Sequence, residues 1–201
     1  MSETPFIRGP VAVRLVRDES GLAQVKLVRA VAYMAGQSTP AGEEFDGNDF
    51  CASHILATVE GEPAGTIRLR WFAGFAKVER ITVVPRFEGP QYAVVRAMAE
   101  YGLPIIRAKG YTRIVTHAQA RLVAMWRRVF PFLKPVPGSE FVMYDHVCVV
   151  MAGEVPPEPA AIGEASPPLV QNRPEGLWHL PGPADRSAER PATAPDGRRR
   201  G

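Results

Sequence analysis

Lys77-Val78-Glu79-Arg80-Ile81-Thr82-Val83-Val84-Pro85, running on into Arg86-Phe87-Glu88-Gly89-Pro90-Gln91, is the stretch on which the fold of this chain turns. Its first half is rich in β-branched residues and stops at a proline, which predicts a strand over residues 77–84. Two charged residues, Glu79 and Arg80, stand inside that otherwise apolar run. Its second half combines an arginine, a glycine and a proline just ahead of residues 92–108, which read as a helix or helix pair, with Pro104 as a kink or late first turn.

Working outward, residues 64–71 and 54–59 read as two strands joined by the tight turn Glu60-Gly61-Glu62-Pro63. Before them lies a Gly-, Pro- and acid-rich loop over residues 36–48. Residues 21–34 carry apolar side chains at Leu22, Val25, Val28 and Ala32, the spacing of a helix that Asp18 or Ser20 would cap. Residues 12–16 read as a short first strand. On the other side, residues 113–117 read as a buried strand, residues 118–129 as a helix, and residues 140–150 as one last strand. The expected order β-α-loop-β-β-β-α-β-α-β describes an α/β domain with a sheet of mixed direction.

Composition divides the chain after Met151. Ten of the 20 prolines lie at or beyond Pro156, a density that regular helices and central strands do not tolerate. The reading is a folded domain over residues 1–151 and a Pro-rich, largely disordered C-terminal tail over residues 152–201. Within the tail, Leu169, Val170, Leu177, Trp178 and Leu180 form an apolar island near residues 169–180. Such an island either clusters or packs back on the domain, or docks on a protein partner.

A formal net charge of +3 is too small to argue for nucleic acid. No stretch approaches the roughly 20 apolar residues that span a bilayer, and the N-terminus lacks a signal-peptide core, so the expectation is a cytoplasmic protein with no membrane partner. Cys51 and Cys148 fit no metal or redox spacing; each reads as a small core hydrophobe, and no metal is expected.

Several separated landmarks agree with one family. They are Glu44-Phe45-Asp46-Gly47-Asn48-Asp49 ahead of the strand holding His54, Gly65-Thr66-Ile67-Arg68-Leu69, the stretch from Lys77 to Gly89, and His117-Ala118-Gln119 at a strand end. In this order they resemble the GNAT superfamily of N-acyltransferases over roughly residues 10–151. The resemblance implies a GNAT-like mixed central sheet with helices on both faces. It also implies transfer of an acyl group from acetyl-CoA or another acyl-CoA to a small-molecule or peptide amine acceptor.

What the resemblance implies for individual residues follows its landmarks. The family splays two central strands so that one offers backbone groups to pantetheine; here that strand segment would be Arg80 to Val84, with Ile81, Thr82 and Val83 binding the cofactor. The following loop offers N–H groups and a helix N-terminus to the pyrophosphate. The matching residues are Arg86, Glu88, Gly89, Pro90 and Gln91, of which Arg86 and Gly89 agree with the family. Pro90 lacks a donor, Gln91 replaces a small residue and Glu88 adds a negative charge. Gln119 and Trp126 complete the cofactor set. Glu79 falls where a strand-borne general base is expected, a role that burial among apolar residues would favour by raising its pKa; the alternative is a salt bridge to Arg68 or Arg80. The tyrosine that protonates the leaving thiolate is replaced by Trp126, leaving Tyr92 or Tyr111 as candidates. Arg29, Asp46, Asp49 and Arg68 are substrate-binding candidates, or else pair with one another.

Two other readings stand beside this one. The acidic loop with Arg29, Arg68, Glu79 and Arg80 also resembles acyl-homoserine-lactone synthases. That resemblance implies an acyl-carrier-protein donor meeting Arg121, Arg127 and Arg128. A non-catalytic GNAT-like protein-binding module, using its sheet or tail, is the third. GNAT-like domains also imply a homodimer.

Overall fold

The computed structural model describes residues 6–87, 89, 91–143 and 145–188. In chain order the elements are β1 (Phe6–Arg8), β2 (Val11–Leu15), α1 (Glu19–Arg29), α2 (Ala41–Glu44), β3 (Ser53–Val59), β4 (Glu62–Phe72), β5 (Phe75–Val83), α3 (Gln91–Ala108), β6 (Arg113–Gln119), α4 (Val123–Val129), β7 (Lys134–Met143), β8 (His146–Glu154), α5 (Pro168–Gln171) and α6 (Pro183–Ala188). The eight strands form one sheet in the order β1-β2-β3-β4-β5-β6-β8-β7. Every neighbouring pair is antiparallel except β5 and β6, which are parallel.

Alternation along β3 shows how the sheet is clothed. Ile55 and Ala57 join the large core under α3, with Val94, Met98, Ile105 and Ile106, while Leu56 turns to the other face and packs with Val25 and Val28 of α1. Burying each such Ile, Leu or Met contributes roughly 1.5–3 kcal/mol, so α3 is the principal anchor of the sheet. Gly102 of α3 sits where a Cβ would strike the Ile55 Cδ1 atom, which brings helix and strand unusually close. Asp18 caps α1 by accepting from the Gly21 N–H at 2.6 Å.

The mixed sheet with helices on both faces is as the sequence predicts, with four local differences. The helix expected over residues 21–34 is α-helical only to Arg29 and continues as the wider turn Ala30–Ala35. The strand expected to end at His117 continues to Gln119, so the following helix begins later, after the 3-10 turn Ala120–Leu122. The single last strand expected over residues 140–150 is instead the turn of a hairpin: Val142 pairs with Val147 and Met143 with His146. Asp145 supplies the positive φ of 61° that the turn needs. Cys51, expected in the core, is exposed in the 3-10 turn Asn48–Cys51, whereas Cys148 is buried; both are free.

The last strand runs past Met151 to Glu154, and the described residues beyond it follow the domain surface. The Ile162 N–H donates to the Ala108 carbonyl at 2.8 Å, Arg107 pairs with Glu158 at 3.3 Å, and Trp178 packs against the main core. Glu175 accepts from Lys109 Nζ at 2.8 Å, and its backbone carbonyl accepts from Arg17 Nη2 at 2.8 Å. Residues 189–201 of the expected tail lie outside the described residues.

Candidate active site

Strands β5 and β6 pair only at Ala76 with Ile114 and Lys77 with Val115. Beyond that point the parallel partners part, and among the described residues no strand covers the β6-facing edge of residues 78–83. A bulge between β4 and β5 lies opposite: Thr66 faces Thr82 and Arg68 faces Glu79, so β5 carries an extra residue there. Arg80 occupies that bulge with a φ of 50°, a left-handed conformation uncommon for a residue with a side chain.

A cleft of about 480 Å³ opens where the strands part. Its walls are the wider turn after α1, the acidic loop, β5, the end of β6, the N-terminus of α3 and α4. Of the sequence-expected cofactor set, Ile81, Thr82, Val83, Gln91, Gln119 and Trp126 all line it. Gln91 is the first residue of the 18-residue α3, so the positive end of that helix reaches the cleft. The Gln119 Oε1 atom is buried without a hydrogen-bond partner among the described residues, an acceptor available to a ligand donor. Arg86 does not line the cleft: its guanidinium pairs with Glu62 and lies over the Phe87 ring. Gly89 is exposed, and Glu88 and Pro90 lie outside the described residues.

Glu79 lines the cleft beside Lys77, with its Oε2 2.8 Å from Lys77 Nζ and its Oε1 2.8 Å from Arg68 Nε. Burial pushes its carboxyl pKa up, but Lys77 and Arg68 outweigh burial and hold it below the ordinary value. The raised pKa expected from an apolar strand is therefore reversed, because the strand's neighbours at that level are cations. Tyr92 stands away from the cleft, its hydroxyl 3.4 Å from the Arg128 carbonyl and its ring beneath the Arg128 guanidinium. Tyr111 stacks on Trp71, also outside the cleft. Neither is placed to protonate a group held there.

The substrate-binding candidates form a charge cluster behind the cleft wall instead of lining it. Arg29 is fully buried, pairing with Glu44 and with Asp49 at 2.6 Å. Arg68, 1% exposed, pairs with Asp46 at 2.7 Å, Asp49 at 2.9 Å and Glu79 at 2.8 Å. Asp46 and Asp49 are both held below the usual carboxylate range: burial opposes this, and hydrogen bonds from Arg68 to both and from Arg29 to Asp49 overcome it. Buried His54 reaches the Asp49 carbonyl through Nε2 at 3.1 Å, and burial lowers its pKa. His117, at an exposed position, lines the cleft, where desolvation and then the Lys77 charge lower its pKa.

Residues that sequence reasoning passed over complete the wall. Glu44 and Tyr33 line it, the Tyr33 hydroxyl donating to the Ile81 carbonyl at 2.9 Å, with a pKa raised by burial and by the Glu44 charge. Lys77 also lines it, and its position two residues before Glu79, on the same strand face, was the one available signal. Among the described residues no cluster of His, Cys, Asp and Glu is arranged to hold a metal ion, and no helix is long and apolar enough to cross a membrane.

No family model matches the chain. Two Bacillus subtilis proteins are similar over 120 residues, which cover 58% of this chain and 80% of each relative. The uncharacterized protein YyaT is 24% identical, and a protein provisionally named an acetyltransferase is 22% identical. Among solved structures, Escherichia coli ElaA superposes with a TM-score of 0.62 at 19% identity, covering 71% of this chain and 99% of ElaA. An acyl-CoA N-acyltransferase from Pseudomonas aeruginosa gives 0.60 at 18% identity, covering 71% and 99%. A GNAT family acetyltransferase from Elizabethkingia anophelis, solved with acetyl-CoA bound, gives 0.54 at 10% identity, covering 74% and 100%. With its parallel strands parting beyond Lys77 and this set of superpositions, the chain has the GNAT fold of these solved structures.

Proposed function

We propose that this protein is an N-acyltransferase that moves an acyl group from an acyl-CoA to a primary amine. The observation that carries the reading is the parting of β5 from β6 beside a cleft that contains a carboxylate, Glu79. The uncovered edge of Ile81, Thr82 and Val83 suits the amides of a pantetheine arm, and the N-terminus of α3 at Gln91 suits its pyrophosphate. The buried Gln119 acceptor and the Trp126 wall fit the same ligand. When bound, the thioester supplies an activated acyl carbon and a thiol leaving group.

Glu79 acts on the amine. Its depressed pKa keeps it ionised, so it attracts an ammonium and orients it. A carboxylate of depressed pKa is a weak base toward a free ammonium, so the attacking species is the neutral amine drawn from its equilibrium with the ammonium. Once that nitrogen has bonded to carbon and become acidic, Glu79 accepts its proton, directly or through water, as the thiolate leaves. A thiol with a pKa near ~8.5 is a good leaving group, so the absence of a phenol beside it at Trp126 is a modest handicap. Specificity for the acceptor falls to Tyr33, Glu44, Lys77 and Arg80, which line the same cleft.

The test is release of the coenzyme A thiol when the full chain is incubated with acetyl-CoA and a panel of primary amines. Turnover is expected, with a loss of roughly 10²- to 10⁴-fold in Glu79→Gln. Turnover that Glu79→Gln leaves unchanged would remove Glu79 from the chemistry.

A further inference from the structure

The arginines Arg29, Arg68 and Arg80 hold the acidic loop. Arg29 reaches Glu44 and Asp49, Arg80 reaches Glu44 at 3.0 Å and Asp46 at 3.5 Å, and Arg68 reaches Asp46 and Asp49. Of these, Arg68 also bonds to Glu79, through the edge away from Asp49: Nε and Nη2 each lie 2.8 Å from Glu79 Oε1, Nη1 reaches Asp49 at 2.9 Å and Asp46 at 2.8 Å, and Nη2 reaches Asp46 at 2.7 Å. Its guanidinium is planar and buried, so its edges are fixed relative to one another. Strand register sets the same alignment, since His54, Arg68 and Glu79 lie side by side on β3, β4 and β5.

Resting on the reading of Glu79 as the proton acceptor, we infer that Arg68 is a positioning residue that couples the acidic loop to Glu79. Its fork fixes the carboxylate against the same scaffold that holds Asp46 and Asp49, so the orientation of Glu79 depends on the loop being seated. The loop in turn carries Gln37, Thr39 and Glu44 into the cleft. Acceptor-binding wall and proton acceptor are thus registered through one side chain. Lys77, which holds the other oxygen of Glu79 and bonds to none of the loop carboxylates, cannot serve that purpose.

The coupling is read in the full chain by following the Glu79 side-chain carboxyl with carbon-13 NMR through a pH titration, and amide hydrogen exchange over residues 41–51. Both are measured in wild type, Arg68→Lys and Arg68→Met. One ammonium cannot span three carboxylates, so Arg68→Lys keeps the charge but loses the fork. The expected result is a proton affinity of Glu79 that rises about tenfold in Arg68→Met and partly in Arg68→Lys, with faster exchange of the loop in both. Should either variant fail to fold, Asp46→Asn, at a partly exposed position, loosens the loop side alone. It is expected to speed loop exchange and move the Glu79 titration together. Faster loop exchange with an unmoved Glu79 titration, or full restoration by lysine, would overturn the inference and leave Arg68 a loop anchor. These readouts need no turnover, so a Glu79→Gln enzyme that still works would defeat the functional reading and leave this coupling to be judged separately.

Discussion

The Glu79 carboxylate is held between two cations from opposite directions, Arg68 Nε at 2.8 Å behind the cleft wall and Lys77 Nζ at 2.8 Å within it. A carboxylate in an apolar strand ordinarily gains a proton on burial. Here the cations decide the sign, and the group is held ionised.

Stability falls in acid for two separable reasons. The folded-state pKa values of Asp46, Asp49 and Glu79 are depressed, so their contribution is fully present above the unfolded carboxylate values of about 4 and is lost as pH falls through the lowered folded values. His54 is also depressed, by burial, so the folded state resists protonating it, and stability is lost progressively below the unfolded histidine value of about 6.5. Thermal melts from pH 8 to pH 3 are expected to show a shallow decline from His54 first and a steeper one from the carboxylates. His54→Phe should reduce the first portion and leave the part due to His117, whose pKa is also lowered.

Trp178 ties the described C-terminal residues to the core. It packs against the main hydrophobic cluster, and Lys109 lies between its ring and that of Trp71, 4.3 Å from the Trp71 centroid. Trp178→Ala is expected to cost about 2 kcal/mol in urea unfolding, less than the ~3–5 kcal/mol of a fully buried aromatic. Unchanged stability would mean that this segment does not rest on the domain in solution.

Gly153 of β8 is a packing requirement. A Cβ there would drive into the Phe132 carbonyl oxygen and lie 2.9 Å from its ring. Because the obstacle is backbone, it cannot rotate away, and Gly153→Ala is expected to cost at least ~2 kcal/mol. Gly138, whose added Cβ would meet nothing, is positive-φ at 68°, so its alanine variant reports turn strain alone and serves as the comparison.

Tyr33 braces the β5 edge at the cleft. Its buried hydroxyl satisfies the Ile81 carbonyl at the cleft. Tyr33→Phe leaves that carbonyl unpaired and is expected to cost about 1–3 kcal/mol of stability, with acyl-CoA binding weakened in the same variant.

The fold was legible because its landmarks are local: a β-branched strand ending at Pro85, a glycine turn at Gly61, and a long apolar-striped helix from Gln91. The hairpin of β7 and β8 was not. Its turn at Asp145 falls inside the apolar-rich run of residues 141–150, which holds no glycine or proline, so nothing in the sequence marks where the strand doubles back. In the site, Ile81, Thr82, Val83 and Gln119, named through the family resemblance, all line the cleft. For Arg29 and Arg68 the sequence left two readings open, because a charged residue in an apolar run looks the same whether it faces a ligand or a buried carboxylate. Only the folding of the acidic loop over α1 and β4 decides between them. Glu44 and Tyr33 reach the cleft from that loop and from the wide turn after α1, where no periodic pattern predicts direction.

The most direct measurement is isothermal titration of the full chain with acetyl-CoA, alongside a longer acyl-CoA and free coenzyme A. The account predicts micromolar binding, about −8 kcal/mol, and a stabilisation of ~2.7 kcal/mol at a hundredfold excess over the dissociation constant. No heat and no thermal stabilisation with any of the three would contradict the central claim that the parted strands and the α3 N-terminus receive an acyl-CoA.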